Sequence, residues 1–152
     1  FIELIELAKQ AKDFRAIVDV NDTRFLAPKS MLDEVVTACK DTGQAIPSTV
    51  GEVLQVVYQS LAYCYKQAIH QLEKITERKF TCINIVGGGC QDMYLNQLTA
   101  DVTGLTVYAG PIEGTALGNI LVQMITSKEI KDIAEARKFI RNSFEIKEIK
   151  PR

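Results

Sequence analysis

Val86-Gly87-Gly88-Gly89-Cys90-Gln91-Asp92 sets three consecutive glycines directly after a short apolar run, an arrangement suited to holding a ligand against main chain. With no Cβ, glycine lets a ligand approach the backbone closely and takes a positive φ at little cost. The unbonded N–H groups of a following helix, and the positive end of its dipole, then favour an anionic or polar ligand edge. In open α/β sheets, ligands gather at such strand ends. A tight strand-to-helix turn without a ligand uses the same residues, so the triplet alone leaves both readings open. Two nucleotide fingerprints fail here. GxGxxG needs a third glycine where Asp92 stands, and a P-loop needs a Gly-Lys-Ser/Thr ending that occurs nowhere in the chain.

A second candidate is Gly110-Pro111-Ile112-Glu113-Gly114-Thr115-Ala116-Leu117-Gly118. Pro111 suits a first helical turn, and Glu113 there faces the positive dipole end. Thr115, Ala116 and Gly118 are small enough for this helix to lie close to a neighbouring backbone, so packing and site-lining are both open. His70 stands alone on a long helical pattern and reads as solvated or structural. Cys39, Cys64, Cys82 and Cys90 form no CxxC pair, and no histidine stands at zinc-ligand spacing, so no metal site is expected. Their scatter, with no secretion signal, points to buried reduced thiols in a cytoplasmic protein.

The elements that must position these residues follow from periodicity. Phe1 to Ala11 reads as a helix already in progress, Arg15 to Val20 as a short strand, and Asn21 to Ser30 as a loop presenting Phe25 and Leu26. A helix is expected from Ser30 to Cys39, stopping at Thr42-Gly43, with Pro47 keeping the chain extended afterwards. Ser48 or Thr49 caps the next segment, with Glu52 completing a capping box. Val53, Val56, Val57, Leu61, Cys64, Ala68, Leu72 and Ile75 then recur at three- and four-residue steps, which predicts one long buried helix. After the charged stretch Glu73 to Lys79 come a strand at Cys82 to Val86, a helix from Gln91 to Thr103, a strand at Leu105 to Tyr108 and a helix from Pro111 to Ile125. That order implies an α/β fold of parallel strands with right-handed crossover helices. From Ser127 the tail carries Ile130, Ile133, Ala136, Phe139 and Ile140 on a helical face, with Lys128 to Lys138 supplying a wet side, and Phe144 to Ile149 finishes extended.

Composition bounds the function. The 152 residues hold 18 basic and 19 acidic side chains, a net charge of −1, which argues against an electrostatic grip on nucleic acid or an anionic membrane. At 47% apolar and 24% charged the chain is an ordinary globular one, neither disordered nor fibrous. No apolar run approaches the roughly 18 residues of a membrane-spanning helix. The chain opens at Phe1 in mid-pattern and reads as a piece of a longer protein.

Val86-Gly-Gly-Gly-Cys-Gln-Asp-Met-Tyr-Leu-Asn-Gln-Leu-Thr-Ala-Asp101, followed by Ala109-Gly-Pro-Ile-Glu-Gly-Thr-Ala-Leu-Gly-Asn119, resembles the carboxy-terminal domain of FGGY carbohydrate kinases. Phe25 to Pro28, Thr42 to Pro47 and Ser60 to Ala62 also resemble that family, so the likeness covers nearly the whole of residues 1–152. The resemblance implies an actin-like ATPase fold, ribonuclease H-like, of which this chain is part, with residues 127–152 as tail of the same domain. It implies that two such domains close around ATP, with Mg²⁺, and a ketose such as L-rhamnulose, with xylulose or fuculose as the alternative within the family. In that picture this chain supplies the adenosine side. Gly87, Gly88 and Gly89 face the nucleotide, and Cys90, Gln91 and Asp92 border the adenine. The family carries Asn or Ser where Asp92 stands; a carboxylate cannot donate a hydrogen bond to adenine, and helix capping is the other reading of Asp92. Thr99 and Thr103 occupy a region where some relatives pair cysteines, so no such disulfide is expected. The phosphate loops and the catalytic Asp belong to the missing amino-terminal domain, this chain's first partner. A dinucleotide-binding oxidoreductase domain and a non-catalytic actin-like interaction module are the alternatives from other classes.

Overall fold

A computed structural model describes residues 2–152, and its chain divides into two compact units, the first ending at Lys79 and the second running from Phe80 to Arg152. Phe1, where the first helix was expected to begin, lies outside the described residues. The best-marked element of the first unit follows from its cap. Thr49 Oγ1 accepts from the Glu52 N–H at 3.2 Å and Glu52 Oε2 accepts from the Thr49 N–H at 3.1 Å, which starts α3 (Val50–Thr76) as a capping box. Glu52 Oε2 also accepts from the Ser48 N–H at 2.7 Å and its hydroxyl at 2.8 Å. α1 (Ile2–Gln10) lies against the start of α3. Contact is close because position 51 is glycine: a Cβ there would stand 2.6 Å from the Leu7 carbonyl oxygen. α2 (Met31–Asp41), capped by Ser30, adds Val35 and Cys39 to a core with Ala16, Val18, Val53 and Val56. Burial pushes the Cys39 thiol up, which keeps it protonated and unreactive.

Two expectations fail in this unit. Residues 15 to 20 form no strand. The alternation is present, with Ala16 and Val18 buried and Ile17 out, but side chains take the hydrogen bonds that a neighbouring strand would. Gln44 Oε1 accepts from the Ile17 N–H at 2.8 Å, Gln44 Nε2 donates to the Ile17 carbonyl at 2.7 Å, and Ser60 Oγ accepts from the Val18 N–H at 2.9 Å. The far end of α3 is not buried either: Leu72 is 50% and Ile75 79% exposed. At about 1.5 Å per residue, α1 is roughly 14 Å long and cannot cover a helix of roughly 40 Å. His70 lies on that exposed stretch.

The Glu52 carboxylate titrates below its ordinary range, chiefly because it accepts from the Ser48 N–H and hydroxyl and then from Thr49. A folded-state value below the unfolded one means that the cap's contribution is complete above the ordinary value of 4.5 and is lost as pH falls through the lower folded value. Thr49→Ala should cost about 1 kcal/mol. Glu52→Gln should melt below the parent at pH 7, with the gap closing in thermal melts at decreasing pH; a gap that stays constant would show that the carboxylate's charge is not what the cap uses.

In the second unit, β1 (Cys82–Ile85) runs parallel to β2 (Thr106–Ala109), pairing Cys82 with Thr106 and Ile85 with Ala109. α4 (Met93–Thr103) makes the crossover between them and stops at Gly104, whose φ of +73° is the left-handed conformation that glycine takes without strain. α5 (Gly114–Thr126) and α6 (Ile133–Ser143) follow, then β3 (Lys147–Ile149), which pairs antiparallel with β2, Val107 facing Ile149 and Ala109 facing Lys147. The sheet is therefore mixed, in the order β1-β2-β3, and not wholly parallel as expected. Two helices, not the single crossover helix of a parallel pair, separate β2 from β3. Ala100, Val107, Ala109, Ile149 and Cys90 form the core on one face, with Ile83 and Ile85 against it. The tail helix is only partly covered: Ala136 is buried, while Ile133 and Phe139 of the expected apolar face are exposed. Among the described residues no helix is long and apolar enough to cross a membrane.

Candidate functional site

The site begins where β1 runs out. The hydrogen-bonding between the first two strands continues past their ends: the Gly110 N–H donates to the Ile85 carbonyl at 2.8 Å, and the Gly87 N–H to the Pro111 carbonyl at 3.1 Å. These two bonds set the triplet beside the second motif. Gly87 has a φ of +79°, so it alone of the triplet needs glycine for its backbone conformation. The chain then makes a short 3₁₀ turn, Gly88–Gln91, whose first two N–H groups, at Gly88 and Gly89, meet no acceptor among the described residues. A Cβ at Gly88 would meet no atom within 4 Å.

Glycines on the second motif serve approach. A Cβ at Gly114 would lie 2.9 Å from Cβ of Val86, and one at Gly110 would lie 2.7 Å from the Glu145 carbonyl oxygen. The small residues expected to bring α5 against a neighbour do not: Thr115, Ala116 and Gly118 are exposed, and a Cβ at Gly118 would touch nothing. Close approach falls at Gly114 instead. Pro111 is also not a first-turn residue, because α5 starts at Gly114, and Glu113, at the N-cap, makes no capping hydrogen bond.

Between these segments lies a cleft of about 400 Å³, within the usual range of ligand pockets. The first motif contributes Cys90 and Gln91 to its lining, and the second contributes Gly110, Pro111, Ile112 and Glu113, with Ala109 before them. Of the six residues expected at the site, Gly87, Gly88 and Gly89 form the turn beside the cleft and do not line it. Asp92 is buried, and its Oδ1 accepts from the Tyr94 and Leu95 N–H groups at 3.2 and 3.1 Å, which caps α4. Two contributions were missed from sequence. Asn96 Nδ2 donates to the Cys90 carbonyl at 3.0 Å and so fixes the turn from α4. Phe144, Glu145 and Lys147 of the tail close the remaining wall. No local pattern ties them to Cys90; only the β2–β3 register does.

The cleft's charged lining is two carboxylates, Glu113 and Glu145, and one ammonium, Lys147. An excess of acceptor charge disfavours phosphate and favours hydrogen-bond donors such as amino groups and sugar hydroxyls. Apolar Ile112 and Phe144 offer surface to a flat ring. The arrangement suits a nucleoside, with the two N–H groups at Gly88 and Gly89 beside it as donors to a polar group.

Comparison with known proteins gives the chain's family. The C-terminal domain model of the FGGY family of carbohydrate kinases matches residues 2–127. A rhamnulokinase of Bacillus subtilis (strain 168) is 49% identical over 152 residues, all of this chain and 31% of the relative. One from Halalkalibacterium halodurans is 47% identical over 147 residues, 97% of this chain and 31% of the relative. One from Yersinia pestis (strain Pestoides F) is 36% identical over 149 residues, 98% and 31%. The chain thus spans about a third of the length of the curated relatives it matches. Both glycine segments that build the cleft fall inside the matched stretch, and the chain belongs to the FGGY family of carbohydrate kinases, as part of their C-terminal domain.

Proposed function

We infer that this chain is the nucleotide side of an ATP-dependent kinase that phosphorylates L-rhamnulose, within an actin-like, ribonuclease H-like domain whose tail is residues 127–152. The name carried by its relatives supports the sugar, and the family supports ATP. The observation that carries the site is the meeting of both glycine motifs at one cleft, fixed by the Gly87–Pro111 and Gly110–Ile85 hydrogen bonds.

In this reading the cleft holds adenosine. Gln91, whose amide both donates and accepts, borders the base edge with Cys90. Gly88 and Gly89 leave room for the nucleotide and offer it their N–H groups. Asp92 acts at one remove, holding the first turn of α4. Among the described residues no cluster of three or more His, Cys, Asp or Glu comes together that would hold a metal, so no residue here is assigned to Mg²⁺. Phosphoryl transfer rests on positioning and charge stabilisation, and the groups for both, with the base for the sugar hydroxyl, are assigned to the amino-terminal domain of the same enzyme, the partner across the cleft.

Calorimetric titration of the chain should detect adenosine and ADP at similar, roughly millimolar, affinity, because only part of the cleft offsets the entropy of association. A strong preference for NAD over ADP would move the reading to a dinucleotide-binding domain.

A further inference from the structure

The tail beyond residue 127 lies outside the stretch that the family model matches, yet it completes the cleft. Its geometry is fixed from two sides. The Phe144 N–H donates to the Ile140 carbonyl at 3.0 Å, closing α6, and three residues later Lys147 pairs with Ala109 in the sheet. Between them the Glu145 carbonyl passes so near Gly110 that a Cβ there would stand 2.7 Å from its oxygen. Phe144 is thus tethered at the cleft while remaining 40% exposed.

An aromatic ring tethered in this way leaves apolar surface in water, which a flat apolar ligand face would cover. Ile112 lines the same cleft with further exposed apolar surface, and Glu113 and Glu145 supply acceptors for an amino group or ribose hydroxyls. Lys147, the only cation among the described lining residues, leaves the lining one negative charge in excess, which disfavours phosphate at this end. Resting on the nucleotide reading above, we propose that Phe144 is a base-binding residue: its ring stacks on the adenine, so that the tail, and not only the glycine motifs, sets affinity for the nucleoside.

The test is made in the full-length enzyme, with melting temperature, kcat and both KM values measured for each variant. Phe144→Leu keeps apolar bulk and removes the aromatic face, and Phe144→Tyr keeps the ring. Stacking predicts that Leu raises the KM for ATP about fivefold, with kcat, sugar KM and melting temperature unchanged, and that Tyr stays near the parent. Adenosine affinity by calorimetry should fall by the same factor in the Leu variant. A parental ATP KM for Phe144→Leu, or a loss that appears only as a lower melting temperature, would overturn the proposal. Gly88→Val, run in parallel, separates the two levels of the argument. If it raises the ATP KM while Phe144→Leu does not, the tail assignment falls and the nucleotide site stands. If neither variant moves the ATP KM, both fall.

Discussion

The 152-residue chain alone, given ATP, Mg²⁺ and L-rhamnulose, should release no ADP above background in a coupled assay, where a typical complete enzyme turns over at about 10 s⁻¹. The expected loss is total because phosphoryl transfer gives a protein little covalent chemistry to perform. Its rate comes from holding the acceptor hydroxyl in line with the phosphate and from neutralising charge on the transferring group. The lining of the cleft found here is suited to neither task. Its carboxylates, Glu113 and Glu145, border a nucleoside-sized space with Phe144, and its single cation, Lys147, is outnumbered by them. Such a lining suits a base and ribose, and it offers no net positive charge to a transferring phosphoryl group. Adding the amino-terminal domain of a relative as a separate chain should restore activity if the two associate. Turnover near 10 s⁻¹ by the chain alone would contradict this division of labour and would make Glu113 and Glu145 the first candidates for the base.

Elements marked by local chemistry were legible from sequence. α3 starts where Thr49 and Glu52 predict, because a capping box is satisfied by residues three apart and needs no tertiary contact. α2 ends at Thr42-Gly43 and α4 at Gly104 for the same kind of reason, since a left-handed residue past a helix is a local need. What the alternation over residues 15 to 20 could not reveal is who accepts its hydrogen bonds. Burial of alternate side chains is a property of the segment, but a ladder is a property of a pair, and Gln44 and Ser60 stand in for the partner. The exposed end of α3 and the antiparallel β3 escaped prediction likewise, because covering length and strand direction are decided elsewhere in the chain.

The site was half legible. A glycine triplet after an apolar strand and a second glycine-rich segment were visible as candidates, and the structure joins them through main-chain hydrogen bonds that no side-chain pattern announces. Pro111 misled: its fixed φ suits a first helical turn, but α5 waits until Gly114, where the lack of a Cβ lets the helix start against Val86. Tail residues Phe144, Glu145 and Lys147 carried no signal, since an extended finish with alternating charge is what any edge strand looks like.

The most direct measurement of the central claim is the pair of KM values for Gly88→Val in the full-length kinase, taken with its melting temperature. Gly88 is well placed for the purpose. It does not need a positive φ, unlike Gly87, and a Cβ there would meet no atom within 4 Å, so a Cβ at this position brings neither backbone strain nor a clash. The added branches would instead occupy the space beside the unbonded Gly88 and Gly89 N–H groups. If that space belongs to the nucleotide, the KM for ATP should rise tenfold or more, about 1.4 kcal/mol of lost binding where KM tracks affinity, with the sugar KM and the melting temperature nearly unchanged. An ATP KM equal to the parent's in a normally folded variant would contradict the account and leave the triplet as a turn.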